Sequence, residues 1–171
     1  MRALRSLTVL SLLAACPYQL GAAVITLSSN LDGAQAGTGS PGTGFATVTI
    51  DDVAKTVFVD LSYSGLGSPT TNAHIHCCVP SGVNAGVIIP FIPAGFVTGA
   101  TSGTFQSLFQ SVSDANLAGI ENGLAYINIH TTAFPAGEIR GQIVPEPETF
   151  GLIGAGLAGV VVLRRRFRVR G

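Results

Sequence analysis

Thr56-Val57-Phe58-Val59-Asp60-Leu61-Ser62-Tyr63 carries the clearest alternation in the chain. Val57, Val59, Leu61 and Tyr63 fall on one side; Thr56, Asp60 and Ser62 fall on the other, with Phe58 as the exception. Successive side chains of a strand point to opposite faces, so the spacing predicts a strand with one face in a core. The preceding run, 45–50, reads the same way, with Ala46, Val48 and Ile50 opposing Phe45, Thr47 and Thr49. Asp51-Asp52 supplies the turn, and the two runs make a β-hairpin.

Outward from the hairpin the same grain continues. Residues 24–28 alternate weakly. Residues 32–44 are Gly, Ser, Thr, Pro and Ala without an apolar period, and are expected to be a loop. Short runs at 73–77, 86–91, 103–109, 124–130 and 138–144 are strand-like, punctuated by Gly and Pro. Only 113–122 reads otherwise. Ser113 can cap a helix, and Leu117 and Ile120 lie three apart, so a short helix is expected there. Seven or eight short strands at near-regular spacing predict an all-β domain, a Greek-key β-sandwich or small barrel. The lack of βαβ alternation and of a phosphate-binding glycine motif argues against a nucleotide enzyme.

Composition agrees. Of 171 residues 11% are charged, against roughly 25% in ordinary soluble domains. That excludes a disordered charged chain, a coiled coil and a basic nucleic-acid binder. The formal net charge of zero hides a segregation. Arg164, Arg165, Arg166, Arg168 and Arg170 close the chain, and Arg2 and Arg5 open it. Between residues 24 and 144 seven acids stand against Lys55 and Arg140.

Both ends read as addresses. Arg2 and Arg5, the apolar run 7–15 and the small residues Gly21-Ala22-Ala23 form a secretory signal peptide over 1–23, cleaved before Val24. Leu13-Ala14-Ala15-Cys16 also matches a bacterial lipobox, in which Cys16 is lipidated; Pro17 and a second membrane signal at the other end count against it. That second signal is Pro145-Glu146-Pro147, then the uncharged run 149–163, then the arginines. Fifteen helical residues span about 22 Å, short of the ~30 Å hydrocarbon core, and flanking arginines can snorkel across the difference. The basic cluster, Arg164, Arg165, Arg166 and Arg168, places that end in the cytoplasm and the domain outside. Prolines 145 and 147 predict an extended hinge before a transmembrane helix. The domains expected are therefore the signal 1–23, a β domain 24–144 and an anchor segment 145–171.

Three histidines are the residues with chemistry to offer. His74 and His76 stand two apart in Ala73-His74-Ile75-His76 and face one side of a strand. His130 ends a second strand, with Tyr126 and Asn128 on its face. Two histidines of one strand and one of another can form a three-nitrogen site for copper or zinc, or can serve as hydrogen-bonding groups that hold the strands in register. Cys77-Cys78 follows His76. In an exported protein the pair can form a vicinal disulfide, ligate metal beside His76, bond another chain, or stay as one buried and one free thiol. Glu138 and Arg140, two apart, are expected to share a face, with Glu138 either a carboxylate near the histidine cluster or a salt-bridge partner or backbone anchor on the last strand. No catalytic triad or carboxylate pair is evident.

The tail, with Pro-Glu-Pro at 145–147, resembles the PEP-CTERM sorting signal of Gram-negative bacteria. The resemblance implies an inner-membrane-held precursor, an exosortase as processing protease, and a final place at the cell surface or in the extracellular matrix. Residues 72–76 (Asn-Ala-His-Ile-His), 86–88 (Gly-Val-Ile), 126–131 (Tyr-Ile-Asn-Ile-His-Thr) and 135–143 (Pro-Ala-Gly-Glu-Ile-Arg-Gly-Gln-Ile) together resemble the CHRD domain, named from chordin. That resemblance implies a secreted or surface domain of no established enzymatic activity. The family also looks like the Greek-key sandwich of Cu,Zn superoxide dismutase, whose copper is held partly by a His-x-His strand. This chain has three histidines where that copper site uses four, so a dismutase is not expected. The function expected is that of a non-enzymatic surface or matrix protein without a required cofactor, with exopolysaccharide or matrix polymers as partners and no nucleic acid. The alternative is an exported copper- or zinc-binding domain, with His74, His76 and His130 as ligands.

Overall fold

The computed structural model describes residues 24–145. The signal 1–23, Glu146, Pro147, the apolar run 149–163 and the arginine cluster lie outside the described residues. The strands are β1 (Val24–Asp32), β2 (Thr43–Asp51), β3 (Thr56–Ser64), β4 (Thr70–Cys77), β5 (Gly86–Pro90), β6 (Gly103–Phe109), β7 (Tyr126–Thr131), β8 (Ile139–Gln142) and β9 (Val144–Pro145). The helices are α1 (Gly33–Ala36) and α2 (Asp114–Glu121), with a 3₁₀ turn at Ile92–Ala94. Among the described residues no helix is long and apolar enough to cross a membrane.

The strands form one sheet, in the order β5-β4-β7-β8-β1-β2-β3-β6, with β9 paired to β1. Every pairing is antiparallel. The sheet curls until its two ends, β5 and β6, approach. Phe91, just after β5, stacks on Phe105 (4.7 Å between centroids) and Phe109 (5.8 Å) of β6. The result is a nearly closed barrel. Of the two architectures expected, the barrel is the one formed; the sandwich is corrected, because β1 joins β2 on one side and β8 and β9 on the other, leaving no break between two sheets. Following the curl, β6 lies beside β3 and β7 beside β4, which are Greek-key crossovers.

Alternation sets the inside. Ala46, Val48 and Ile50 pair with Leu61, Val59 and Val57, and all six are buried. Phe58 points outward, 37% exposed. On the far wall Ala73 and Ile75 of β4 pair with Ile129 and Ile127 of β7, and Ile129 pairs with Ile139 of β8. Each of the Val, Leu and Ile side chains adds about 1.5–3 kcal/mol by leaving water, and the two alanines less. The hairpin turn is held by Asp51, whose Oδ1 accepts from the N–H of Val53 (3.0 Å) and of Ala54 (2.7 Å). Lys55 then pairs with Asp114 of α2 at 2.6 Å. As expected, Ser113 caps α2, accepting from Asn116 N–H at 3.3 Å, and Leu117 and Ile120 are buried.

Two local expectations are corrected. Residues 32–44 are not a plain loop. β1 runs to Asp32, whose carboxylate caps α1 by accepting from Gln35 N–H (2.7 Å), and β2 begins at Thr43. A single capped turn has no apolar stripe to announce it. The expected hinge at Pro145 is not free either: Pro145 lies opposite Leu27 and Val144 opposite Ser28, so the chain stays on the barrel through Pro145.

Candidate functional site

The three histidines sit on the outer face of β4 and β7. On β4, Ala73, Ile75 and Cys77 point into the core, which turns His74 and His76 outward. Register then sets their neighbours. His76 lies opposite Tyr126, His74 opposite Asn128, and His130 opposite Asn72. His130 is therefore the diagonal neighbour of His74, within reach of a ring. One ring nitrogen from each histidine can be chosen so that all three lie within 4.8 Å of one another.

Although they face outward, His74 and His76 are 7% and 9% exposed. The cover is the β4–β5 connection, folded back over the face. His76 Nδ1 donates to the Ala85 carbonyl at 2.8 Å. The Ala85 N–H donates to the Tyr126 hydroxyl at 3.1 Å. Arg140, opposite Asn128 on β8, donates to the Val83 carbonyl (2.8 Å) and to Asn84 Oδ1 (3.2 Å). Its guanidinium carbon sits 3.4 Å from the centre of the Tyr126 ring, whose other face stacks on His76. Guanidinium, phenol and imidazole thus form a three-layer stack that backs the histidines.

Hydrogen bonds fix which nitrogens are free. A carbonyl only accepts, so Nδ1 of His76 carries the proton toward Ala85, and its Nε2 keeps a lone pair. His130 is arranged alike: Nδ1 donates to the Pro135 carbonyl at 2.8 Å, leaving Nε2 with a lone pair. That Nε2 is buried and has no hydrogen-bond partner. His74 Nδ1 donates to His76 Nε2 at 2.9 Å. Burial, then the nearby His130 and His76, push the His74 pKa down to about 4. Burial also lowers His76, against the opposing effect of its Ala85 hydrogen bond. His74 and His76 are therefore neutral at pH 7, the state in which imidazole can donate a lone pair.

The remaining residues singled out from sequence lie elsewhere. Cys77 and Cys78 are joined to each other, and both sulfurs pack where a side chain on Gly119 of α2 would stand. Neither of these two sulfurs faces the histidines. Glu138 does not join them, nor does it pair with Arg140. Its carboxylate accepts from the Ser40 hydroxyl (2.6 Å), the Gly67 N–H (2.6 Å) and the Thr131 hydroxyl (2.7 Å). Burial alone raises its pKa, but these donors and the Ser68 N–H outweigh it and hold it below the usual carboxylate value. Glu138 is the backbone anchor, tying three segments together.

Sequence reasoning placed the histidines together but missed their cover and their props. Tyr126 was readable as sharing the His130 face; nothing local pointed to Arg140 reaching Val83, 57 residues away. The run 135–137 also acquires a reason. Pro135 accepts from His130, Ala136 accepts from Asn128 Nδ2 at 3.1 Å, and Gly137 has φ +118° with its Cα against the Asn128 amide.

A family model described as the CHRD domain matches residues 27–143, and one described as the PEP-CTERM protein-sorting motif matches residues 144–166. No curated protein and no solved structure matches the chain. A CHRD domain with this motif behind it marks a secreted, sorted surface protein of the Gram-negative type, and an exosortase is the protease that processes such motifs. From the buried His-x-His strand to the Pro-Ala-Gly-Glu turn, the barrel described above is the matched region, and the chain belongs to the CHRD domain family.

Proposed function

We propose that the chain is a non-enzymatic surface or matrix protein whose barrel is exported, held by its tail and released by cleavage near Pro145-Glu146-Pro147. The observation that carries this reading is the junction. The sorting-motif match begins at residue 144, one residue after the CHRD match ends, and Val144–Pro145 are still hydrogen-bonded to β1. The processing protease thus meets the motif against the barrel wall. The uncharged run 149–163 serves as the inner-membrane helix, with Arg164, Arg165, Arg166 and Arg168 on the cytoplasmic side, since each arginine costs about 2.5–3.5 kcal/mol at a helix centre. Once released, the barrel reaches the surface and associates with exopolysaccharide or other matrix polymer.

The test is fractionation of a Gram-negative host that carries an exosortase. The full chain yields a mature product at the surface or in the medium. Replacing Pro145-Glu146-Pro147 by alanines retains it in the inner membrane at precursor mass. Because Pro145 belongs to β9, a second variant, Glu146→Ala with Pro147→Ala, leaves the barrel untouched and gives the same retention. Release of both variants at wild-type mass would refute the sorting role and leave an ordinary anchor.

A further inference from the structure

We propose that His74, His76 and His130 form a buried site for a single copper ion held as Cu(I), roofed by the β4–β5 connection. The proposal does not depend on how the chain is sorted. Its first support is the orphaned nitrogen: His130 Nε2 is buried without a partner, and leaving a buried polar atom unpaired costs about 1–3 kcal/mol. A metal ion satisfies it. The second support is the way the rings are held. His76 and His130 each give Nδ1–H to a backbone carbonyl, at 2.8 Å in both cases, and so aim a lone pair from Nε2. Metal-binding histidines are held in this manner, with the far nitrogen donating to a fixed acceptor. His74 completes the set when its hydrogen bond to His76 Nε2 is exchanged for the ion.

The donor set chooses the ion. It consists of nitrogens only. Among the described residues the Cys77 and Cys78 sulfurs are joined in a disulfide, and Glu138 is committed to Ser40, Gly67 and Thr131. Imidazole ligands carry no charge, so they leave the whole charge of the ion uncompensated at a site where His74 and His76 are buried and His130 is half-buried. The Arg140 guanidinium stands two layers behind His76, adding positive charge. The cost of burying a charge rises with its square, so a monovalent ion is favoured over Zn(II) or Cu(II). Imidazole suits zinc as well as copper, so the ion's charge is what separates the two, and a small nitrogen-only set does not suit Mg(II) or Ca(II), which require oxygen ligands. Arg140 and Tyr126 act here as positioning residues, since they hold Val83–Ala85 over the site.

The experiment titrates the purified full chain with Cu(I), delivered anaerobically as its bicinchoninate chelate without thiols, and in parallel with Zn(II). The expected result is one Cu(I) per chain, held at least tenfold more tightly than Zn(II), with an X-ray absorption edge and scattering shell of nitrogen ligands only. His130→Gln is expected to weaken Cu(I) binding 100-fold or more; it also gives up the Nδ1 hydrogen bond to the Pro135 carbonyl, so its metal-free melting curve is recorded first and binding is read only on folded protein. His74→Gln provides the second variant and is expected to weaken binding similarly. Equal Cu(I) affinity in wild type and in either folded variant would overturn the site. Sulfur in the scattering shell would overturn the donor set, and Zn(II) binding as tightly as Cu(I) would overturn the monovalent assignment.

Discussion

The rings of His76 and Tyr126 lie parallel within 6°, their centroids 4.6 Å apart, because the two residues are directly paired across β4 and β7. Arg140 covers the other face of Tyr126 and reaches over to Val83 and Asn84. The stack is the pillar on which the β4–β5 connection rests.

Arg140→Ala removes the guanidinium layer and both of its hydrogen bonds. Charge-assisted hydrogen bonds contribute about 1.5–3 kcal/mol and a desolvated cation–π contact about 1–2 kcal/mol. A loss of about 2–4 kcal/mol is expected by denaturant titration. Amide exchange should speed up at Ala85, whose N–H donates to Tyr126. Arg140→Lys should recover less than half of the loss, since one ammonium cannot stack and fork together. Unchanged exchange at Ala85 in Arg140→Ala would show that the connection stands without the pillar.

Glu138 predicts a pH dependence. Its folded pKa is lowered from the ordinary 4.5. A group depressed in the folded state contributes stability above its unfolded pKa, and that contribution is lost as pH falls through the folded value. The melting temperature of the wild type should therefore drop as pH is lowered from about 4.5. Glu138→Gln should be less stable at pH 7 by about 1.5–3 kcal/mol, because an amide nitrogen replaces one acceptor oxygen opposite donors. Its acid limb should also be shallower, with Asp32, lowered by its Gln35 hydrogen bonds, supplying part of what remains. Equal slopes for wild type and variant below pH 4.5 would remove Glu138 from the acid response.

Gly137→Ala meets two obstacles. Its φ of +118° is one that side chains rarely adopt, and the added methyl would run into the Asn128 amide. The backbone cost alone is about 1–3 kcal/mol. Gly86→Ala is the control, since nothing lies within 4 Å of a Cβ there. Thermal melting should show Gly137→Ala well below wild type and Gly86→Ala within about 0.5 kcal/mol of it. Matching melting curves for the two variants would mean that the 135–137 turn is not tied to Asn128.

Much of the fold could be read locally. The alternation at 56–63 is the strand Thr56–Ser64, and the 103–109 run is the strand Gly103–Phe109. The Ser113 cap begins the helix Asp114–Glu121. Each is written in a period of two or three to four residues, which local geometry enforces whatever the rest of the chain does. The joint face of His74 and His76 was legible for the same reason. α1 was not, since one turn capped by Asp32 carries no period.

By itself, then, the sequence determined the inward face of β2 and β3, the shared face of His74 and His76, the approximate place of most strands, and that a sorting motif follows a CHRD domain. Tertiary structure decided the rest, and the reason is distance along the chain. Whether the strands make a sandwich or a nearly closed barrel depends on β8 and β9 pairing with β1, as in Asp32 with Arg140 and Leu27 with Pro145. Strand alternation states a face but not a neighbour. The burial of His74, the orphaned Nε2 of His130 and the lowered pKa of His74 likewise arise only when the β4–β5 connection folds over β7 and Arg140 comes across from β8 to hold it. Desolvation belongs to the assembled surface and to no short stretch of residues.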